Sequence, residues 1–152
     1  MRTLLLILLL SVSKLLSGDI DIITYHNQIE RYNVLEQEIR RRSDIIRAIS
    51  IVESGNNPSA FNSSENAKGL LQIRPIMVKE INIYTNYNLT HKDCWDSIVS
   101  IEAFTAFQNT FNPTWNAELA ARMWNGGREG YKKSSTDIYY KKVKNVLENF
   151  YN

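Results

Sequence analysis

Glu53 closes an apolar, helix-patterned run, "DIIRAISIVE", and Gly55 follows after a single residue. A carboxyl group at a helix C-terminus faces the negative end of the backbone dipole, and partial burial further disfavours its charge. Both effects raise its pKa, which is what a general acid working near neutral pH requires. The competing reading is an ordinary glutamate on a solvated helix end, and composition alone favours it. A second carboxylate follows in "SSENAKG": Glu65 could position a water molecule, but a solvated loop residue or a clamp on the loop's N–H groups is the favoured reading. Asp93 and Asp96 have the contexts of turn and cap residues. The two histidines, His26 and His91, are isolated, and Cys94 is the only cysteine, so neither an intramolecular disulfide nor a Cys/His metal cluster can form.

An acid of this kind needs helices to hold it, and the pattern is helical nearly throughout. Tyr25, Ile29, Tyr32, Leu35 and Ile39 recur at helical spacing, opposite Glu30, Arg31, Glu36 and Glu38, which predicts a first helix over about 21–42. Its basic end, Arg40 to Arg42, reads as a solvated helix terminus favoured by the dipole; contact with an anionic wall polymer is the minor alternative. Ser43 is the expected N-cap of a second helix that turns Ile45, Ile49 and Val52 inward and stops at Gly55. Pro75 opens the next helix. Asp96 caps "SIVSIEAFTAFQNTF", with Ile98, Ile101, Phe104, Phe107 and Phe111 inward. Asn112-Pro113 breaks that run, Thr114 caps "WNAELAARMW", and Ser135 or Thr136 starts a last helix bearing Tyr139, Val143, Val146, Leu147 and Phe150. The expected fold is mainly α: six short helices around one core, with room for a small β-hairpin between Glu65 and Ile73.

The chain of 152 residues is long enough for one domain with a real core. Hydrophobic content of 43% and charged content of 22% are ordinary, and a net charge of +2 does not call for nucleic acid. Two basic runs, Arg40 to Arg42 and "KKVK", fall on different predicted helices and lack a nucleic-acid-binding motif. Aromatic content of 11% suits a carbohydrate groove, although most rings are expected in the core. The opening "MRTLLLILLLSVSK" has the layout of a secretory signal: a positive residue, a short leucine-rich run, then small residues. The apolar run from Leu4 to Val12 is too short for a permanent membrane span. Cleavage after Ser13, or as late as about residue 18, is expected to release an exported domain over 19–152; an uncleaved anchor or a buried first helix is the alternative.

The segment "ESGNNPSAF…AKGLLQIRP" resembles the transglycosylase SLT domain of lysozyme-like proteins. That family reads E-S-x-x-N-P-x-A and then G-L-M-Q-I/L-x-P. Here Glu53, Ser54, Asn57, Pro58 and Ala60 match first, then Gly69, Leu70, Gln72, Ile73 and Pro75. Downstream, "ELAARMWNGG" is similar to the family's A-x-Y-N-A-G, and Thr136, Tyr139 and Val143 fit its T-x-x-Y-x-x-x-V close. The three motifs occur in order between Ile45 and Phe150.

The resemblance implies a small lysozyme-like helical domain with a groove for peptidoglycan glycan strands. It implies Glu53 as the catalytic acid, with Gln72, Ser63, Gly69, Leu71, Trp124, Asn125 and Tyr139 as substrate-binding residues. In that reading the Gln72 amide bonds sugar substituents, Gly69 allows close backbone approach, Asn125 fixes the groove wall, and the Tyr139 hydroxyl orients Glu53. Three departures stand out. Trp124 replaces a tyrosine, keeping a face for stacking but losing a hydroxyl. Leu71 replaces a methionine. The loop before Gln72 is one residue longer, so the family's groove serine aligns with Asn62, Ser63 or Ser64, Ser63 being preferred.

The family chemistry implied is cleavage between N-acetylmuramic acid and N-acetylglucosamine with a 1,6-anhydro product and one carboxyl group, without metal or cofactor. A muramidase using Glu65 and a non-catalytic wall-binding component are the alternatives. The expected form is a monomer without a stable membrane span or nucleic-acid partner, acting in the periplasm, envelope or medium, or as a phage lysis or virion protein.

Overall fold

The computed structural model describes residues 22–150; the leader-like segment and its cleavage site lie outside the described residues. Among the described residues, five α-helices and one short hairpin follow in order: α1 (Ile22–Ser54), β1 (Phe61–Asn62), β2 (Ala67–Lys68), α2 (Pro75–Tyr84), α3 (Ser97–Phe111), α4 (Ala117–Gly126) and α5 (Asp137–Glu148). Short 3₁₀ turns at Asp93–Trp95, Gly130–Lys132 and Ser134–Thr136 link the later helices. The mainly α fold expected from the pattern is what the chain adopts.

The first two expected helices are one. Ser43 does not cap anything; α1 runs through it without a break. Ser and Asp inside a helix each cost only a few tenths of a kcal/mol relative to better formers. Burial of Ile45 and Ile49, at roughly 1.5–3 kcal/mol each, outweighs that cost. The arginines are therefore interior to a helix, and the Arg42 guanidinium lies 5.1 Å over the Trp115 ring. The chain nonetheless divides into two compact units between Arg41 and Arg42. In the first, the apolar stripe at helical spacing is open: Ile29, Leu35 and Ile39 are exposed, Ile39 to 60%. His26 pairs with Glu30 one turn on, at 3.3 Å.

In the second unit, α1, α2, α3 and α4 each contribute two or more buried apolar residues to one core, and Val143 closes it from α5. Phe104 sits at its centre, edge-on to Trp124 and Trp115 at centroid distances of 4.8 and 6.1 Å. Local chemistry sets several helix starts as expected. Pro75 is in the first turn of α2. The Asp96 side chain accepts from the Ile98 and Val99 amides at the head of α3. Asp93 accepts from the Thr90 amide and hydroxyl at 2.8 and 2.7 Å, a turn contact.

Two expectations fail. Ile98 is 69% exposed, because the first turn of α3 projects from the core that Phe104 and Phe107 fill. Asn116, not Thr114, caps α4. The cause is Trp115, whose buried ring holds its backbone at φ +52 and delays the helix. The hairpin exists but starts earlier than Glu65: Phe61 pairs with Lys68 and Asn62 with Ala67, and a further bridge joins Lys68 to Ile73.

Candidate active site

Helix α1 ends at Ser54, and its end is built to hold Glu53 still. Gly55 at φ +63 donates to the Ile51 carbonyl, and the Asn56 amide donates to the Ser50 carbonyl. This left-handed exit satisfies carbonyls the helix leaves unpaired. The Ser54 hydroxyl lies 2.7 Å from the Leu70 carbonyl oxygen, tying the helix end to the returning loop.

That loop then makes two unusual turns. Gly69, at φ +73, passes so close to Cys94 that an added Cβ would stand 1.9 Å from the Cys94 carbonyl oxygen. Gln72 takes φ +48, a left-handed conformation uncommon outside glycine. Its own side chain offsets the strain: Nε2 donates to the Ala60 and Gly69 carbonyls at 3.0 and 2.9 Å. Pro75 then holds Arg74 extended, at φ −88 and ψ 155.

On the far side, α5 brings the Tyr139 hydroxyl within 2.6 Å of Glu53 Oε1, to which it donates. Helix α5 is positioned by Arg122 of α4. Its guanidinium donates to the Asp137 carboxylate at 2.8 Å, to Glu118 at 2.9 Å and to the Thr136 hydroxyl at 3.0 Å.

The result is a cleft of about 40 Å³ with Glu53 at its base, Glu65, Gln72 and Arg74 on one side, and Trp124 and Asn125 on the other. A larger cavity of about 420 Å³ shares Arg74, Met77 and Asn125 with it. Burial lifts the Glu53 pKa from an ordinary 4.5 to about 7; the Tyr139 hydrogen bond and then the Arg74 charge pull it down, and the Glu65 charge pushes it up. Burial and the Glu53 charge raise Tyr139 well above its usual range, so it stays a neutral donor. The group at the base of this cleft can thus carry a proton near neutrality and also release it.

Residues 31–146 match the family model for the transglycosylase SLT domain. The chain belongs to the transglycosylase SLT domain family. No curated protein sequence matches it. Membership carries lytic-transglycosylase-like cleavage of peptidoglycan at the level of the family, and the matched span contains every site residue named above. Among the described residues, no helix is long and apolar enough to cross a membrane.

Of the residues that the SLT motifs single out, Glu53, Gln72, Asn125 and Trp124 reach the cleft, as does Glu65. Tyr139 reaches Glu53 itself. Several have different surroundings from those expected. Trp124 is 3% exposed, its indole N–H donates to the Leu71 carbonyl, and Phe104 and Phe107 pack against its ring, so it offers no open face for stacking. Leu71 is fully buried core and does not line the cleft. The close approach that Gly69 permits is to Cys94 of its own chain. Ser63 is exposed in the hairpin turn, outside the cleft lining. His91 lies 3.0 Å from the Ile73 carbonyl oxygen and supports the loop from behind.

Two residues of consequence are not matches to the SLT motifs. Arg74 fills the variable position before the motif proline; the proline's restriction of its backbone was readable. Arg122 stands four residues after Glu118, a helical pair visible in sequence, but its bond to Asp137 is tertiary.

Proposed function

We propose that this chain is a lytic transglycosylase acting on the β-1,4 bond between N-acetylmuramic acid and N-acetylglucosamine, with Glu53 as its single general acid and base. Protonated Glu53 gives its proton to the bridging oxygen as the bond from muramyl C1 to that oxygen breaks. The substrate's N-acetyl oxygen stabilises the positive C1. The Glu53 carboxylate then takes the proton of the muramyl C6 hydroxyl as that oxygen bonds to C1. The acid is regenerated, and the two products together have the atoms of the substrate, without added water. The Tyr139 hydroxyl holds the carboxyl through both steps, and Gln72 and Asn125 line the path of the sugars. The leader-like N-terminus supports export as the route to this polymer, in a bacterial envelope or in a phage lysis or virion setting.

The observation that carries this reading is one carboxyl group, buried enough to titrate near 7, bonded to a tyrosine at the base of a polar cleft. Glu53→Gln tests it. Turnover of purified peptidoglycan should fall by about 10³-fold or more while the variant still folds and binds walls. Wild-type kcat/KM should decline above a pKa near 7. Mass spectrometry should find anhydro-muramyl ends; reducing ends would make the enzyme a hydrolase, for which Glu65 in the same cleft is the available second carboxylate. Clearing of walls by Glu53→Gln at the native rate would leave only a non-catalytic wall-binding role.

Stability supplies an independent readout. The folded protein holds the Glu53 proton more tightly than the unfolded chain, so this contribution is full below pH 4.5 and is lost as pH rises through about 7. At pH 8 Glu53→Gln should therefore be more stable than the parent by on the order of 3 kcal/mol, with the gain shrinking toward pH 5.

A further inference from the structure

We propose that Arg74 is a positioning residue that fastens the two walls of the cleft together with one guanidinium, and that Glu65 is its partner on the hairpin side rather than a second catalytic carboxylate. The inference rests on the reading of Glu53 as the acid. One terminal nitrogen of Arg74, Nη2, donates to the Asn125 carbonyl at 2.9 Å. The other, Nη1, stands 3.9 Å from Glu65 Oε1 on the hairpin side, ion-pair distance without a hydrogen bond.

Each half of this arrangement has a physical reason. Asn125 is in the last turn of α4, where carbonyls lack helical partners and a cation meets the negative end of the dipole. Lys133 does the same for the neighbouring Gly126 carbonyl at 2.6 Å. Glu65 belongs to the turn between two strands of only two residues each, so the backbone ladder there is short. A planar fork holds two partners on separate nitrogens in fixed directions; an ammonium group, with its donors on one nitrogen, does not span them in the same way. Arg74 is itself held, because Pro75 restricts its backbone and α2 begins there.

Among the described residues, three charged or titratable groups act on Glu53: Tyr139 from α5, Arg74 from the head of α2, and Glu65 from the hairpin turn. Arg74 favours the Glu53 carboxylate and Glu65 opposes it. Their removal should therefore move Glu53 in opposite directions.

The test uses the full chain, with ¹³C-labelled glutamate followed by NMR, amide hydrogen exchange over 61–68, and peptidoglycan turnover against pH. Arg74→Gln should raise the Glu53 titration midpoint by roughly half a pH unit, the screened end of a neighbouring cation's effect. It should also speed exchange in the hairpin. Arg74→Lys should restore the midpoint but not the hairpin protection. Glu65→Gln should lower the midpoint, keep anhydro ends as the product, and cost less than about tenfold in kcat, against the 10²–10⁴-fold expected of a catalytic acid or base. Unchanged titration and exchange in Arg74→Gln would overturn the proposal, as would loss of turnover by more than a hundredfold in Glu65→Gln. Titration and exchange are read without turnover, so a failure of the enzymatic reading would leave this result standing by itself.

Discussion

The wall that runs from Phe61 to Arg74 keeps its shape through backbone geometry, whereas the wall made by α4 and α5 keeps its shape through side chains. On the first, Gly69 donates to the Ala60 carbonyl at 2.9 Å, Lys68 and Ile73 exchange backbone bonds at 3.2 and 2.9 Å, and the Gln72 amide returns to two carbonyls of its own loop. On the second, Arg122 gathers Glu118, Thr136 and Asp137, and Trp124 packs against Phe104 and Phe107. A segment with so little regular structure can fix its path only through residues tolerating left-handed backbone and close approach. A pair of helices already has a fixed backbone and needs only to be locked in register. The first wall should therefore fail when atoms are added, and the second when they are removed.

The largest effect should come from Gly69→Ala. Its methyl group would occupy the position of the Cys94 carbonyl, and the φ of +73 adds a left-handed penalty. A loss of roughly 3 kcal/mol or more is expected in urea unfolding, since overpacking and the left-handed cost add. Native-like stability in this variant would mean that the hairpin wall has slack, and the contrast between the walls would collapse.

Arg122→Met comes next. It keeps the length of the stem but removes the donor shared by the Thr136 hydroxyl, which still bonds the Gly130 and Lys133 carbonyls, and the Asp137 carboxylate, which is half exposed and can turn to water. About 2 kcal/mol is expected from thermal unfolding, below the cost of a fully buried pair. Because α5 carries Tyr139, turnover should fall along with stability. Stability lost with turnover retained would show that the helical wall is not locked through this arginine.

What could be read in advance follows the same divide. Pro75 and Asp96 act within one turn of the chain, so their helix starts were legible. Ser43 and Thr114 are equally good caps by type. Tertiary burial overruled both, through Ile45 and Ile49 in one case and Trp115 in the other. The stripe of Ile29, Leu35 and Ile39 announced a helix correctly but carried no information on whether a partner covers it. Within the site, the run that stops at Gly55 on an acid made Glu53 a candidate, but composition alone favoured an ordinary glutamate, and only the resemblance to the SLT motifs singled it out. The motifs around it mix two kinds of residue. Gln72, Asn125 and Trp124 line the cleft, Trp124 while packed into the core, whereas Leu71 and Gly69 preserve the backbone and core behind it, and spacing alone does not separate them. Arg74 escaped notice because it fills a motif position that admits any residue type, and its partners lie in the hairpin turn and 51 residues further on.

Tyr139→Phe sharpens the comparison most, because it should barely affect stability. The phenol ring stays, only one oxygen is removed, and Phe packs in the same space; a change below about 1 kcal/mol is expected while Glu53 is protonated. The consequence is electrostatic. The hydroxyl donates to Glu53 at 2.6 Å and so favours the carboxylate; without it the Glu53 pKa should rise above about 7 by roughly one pH unit, the worth of one hydrogen bond to a charged group. The descending limb of kcat/KM should move to higher pH by the same amount. At neutral pH kcat should drop by about tenfold, since the carboxyl keeps its proton but loses the group that aims it. This shift should exceed that of Arg74→Gln in the same direction, because a short hydrogen bond from the helical wall outweighs a screened charge at the junction of the two walls. If the arginine variant moves the limb further than the phenylalanine variant, the hairpin side governs the proton, and the roles assigned to the two walls are reversed.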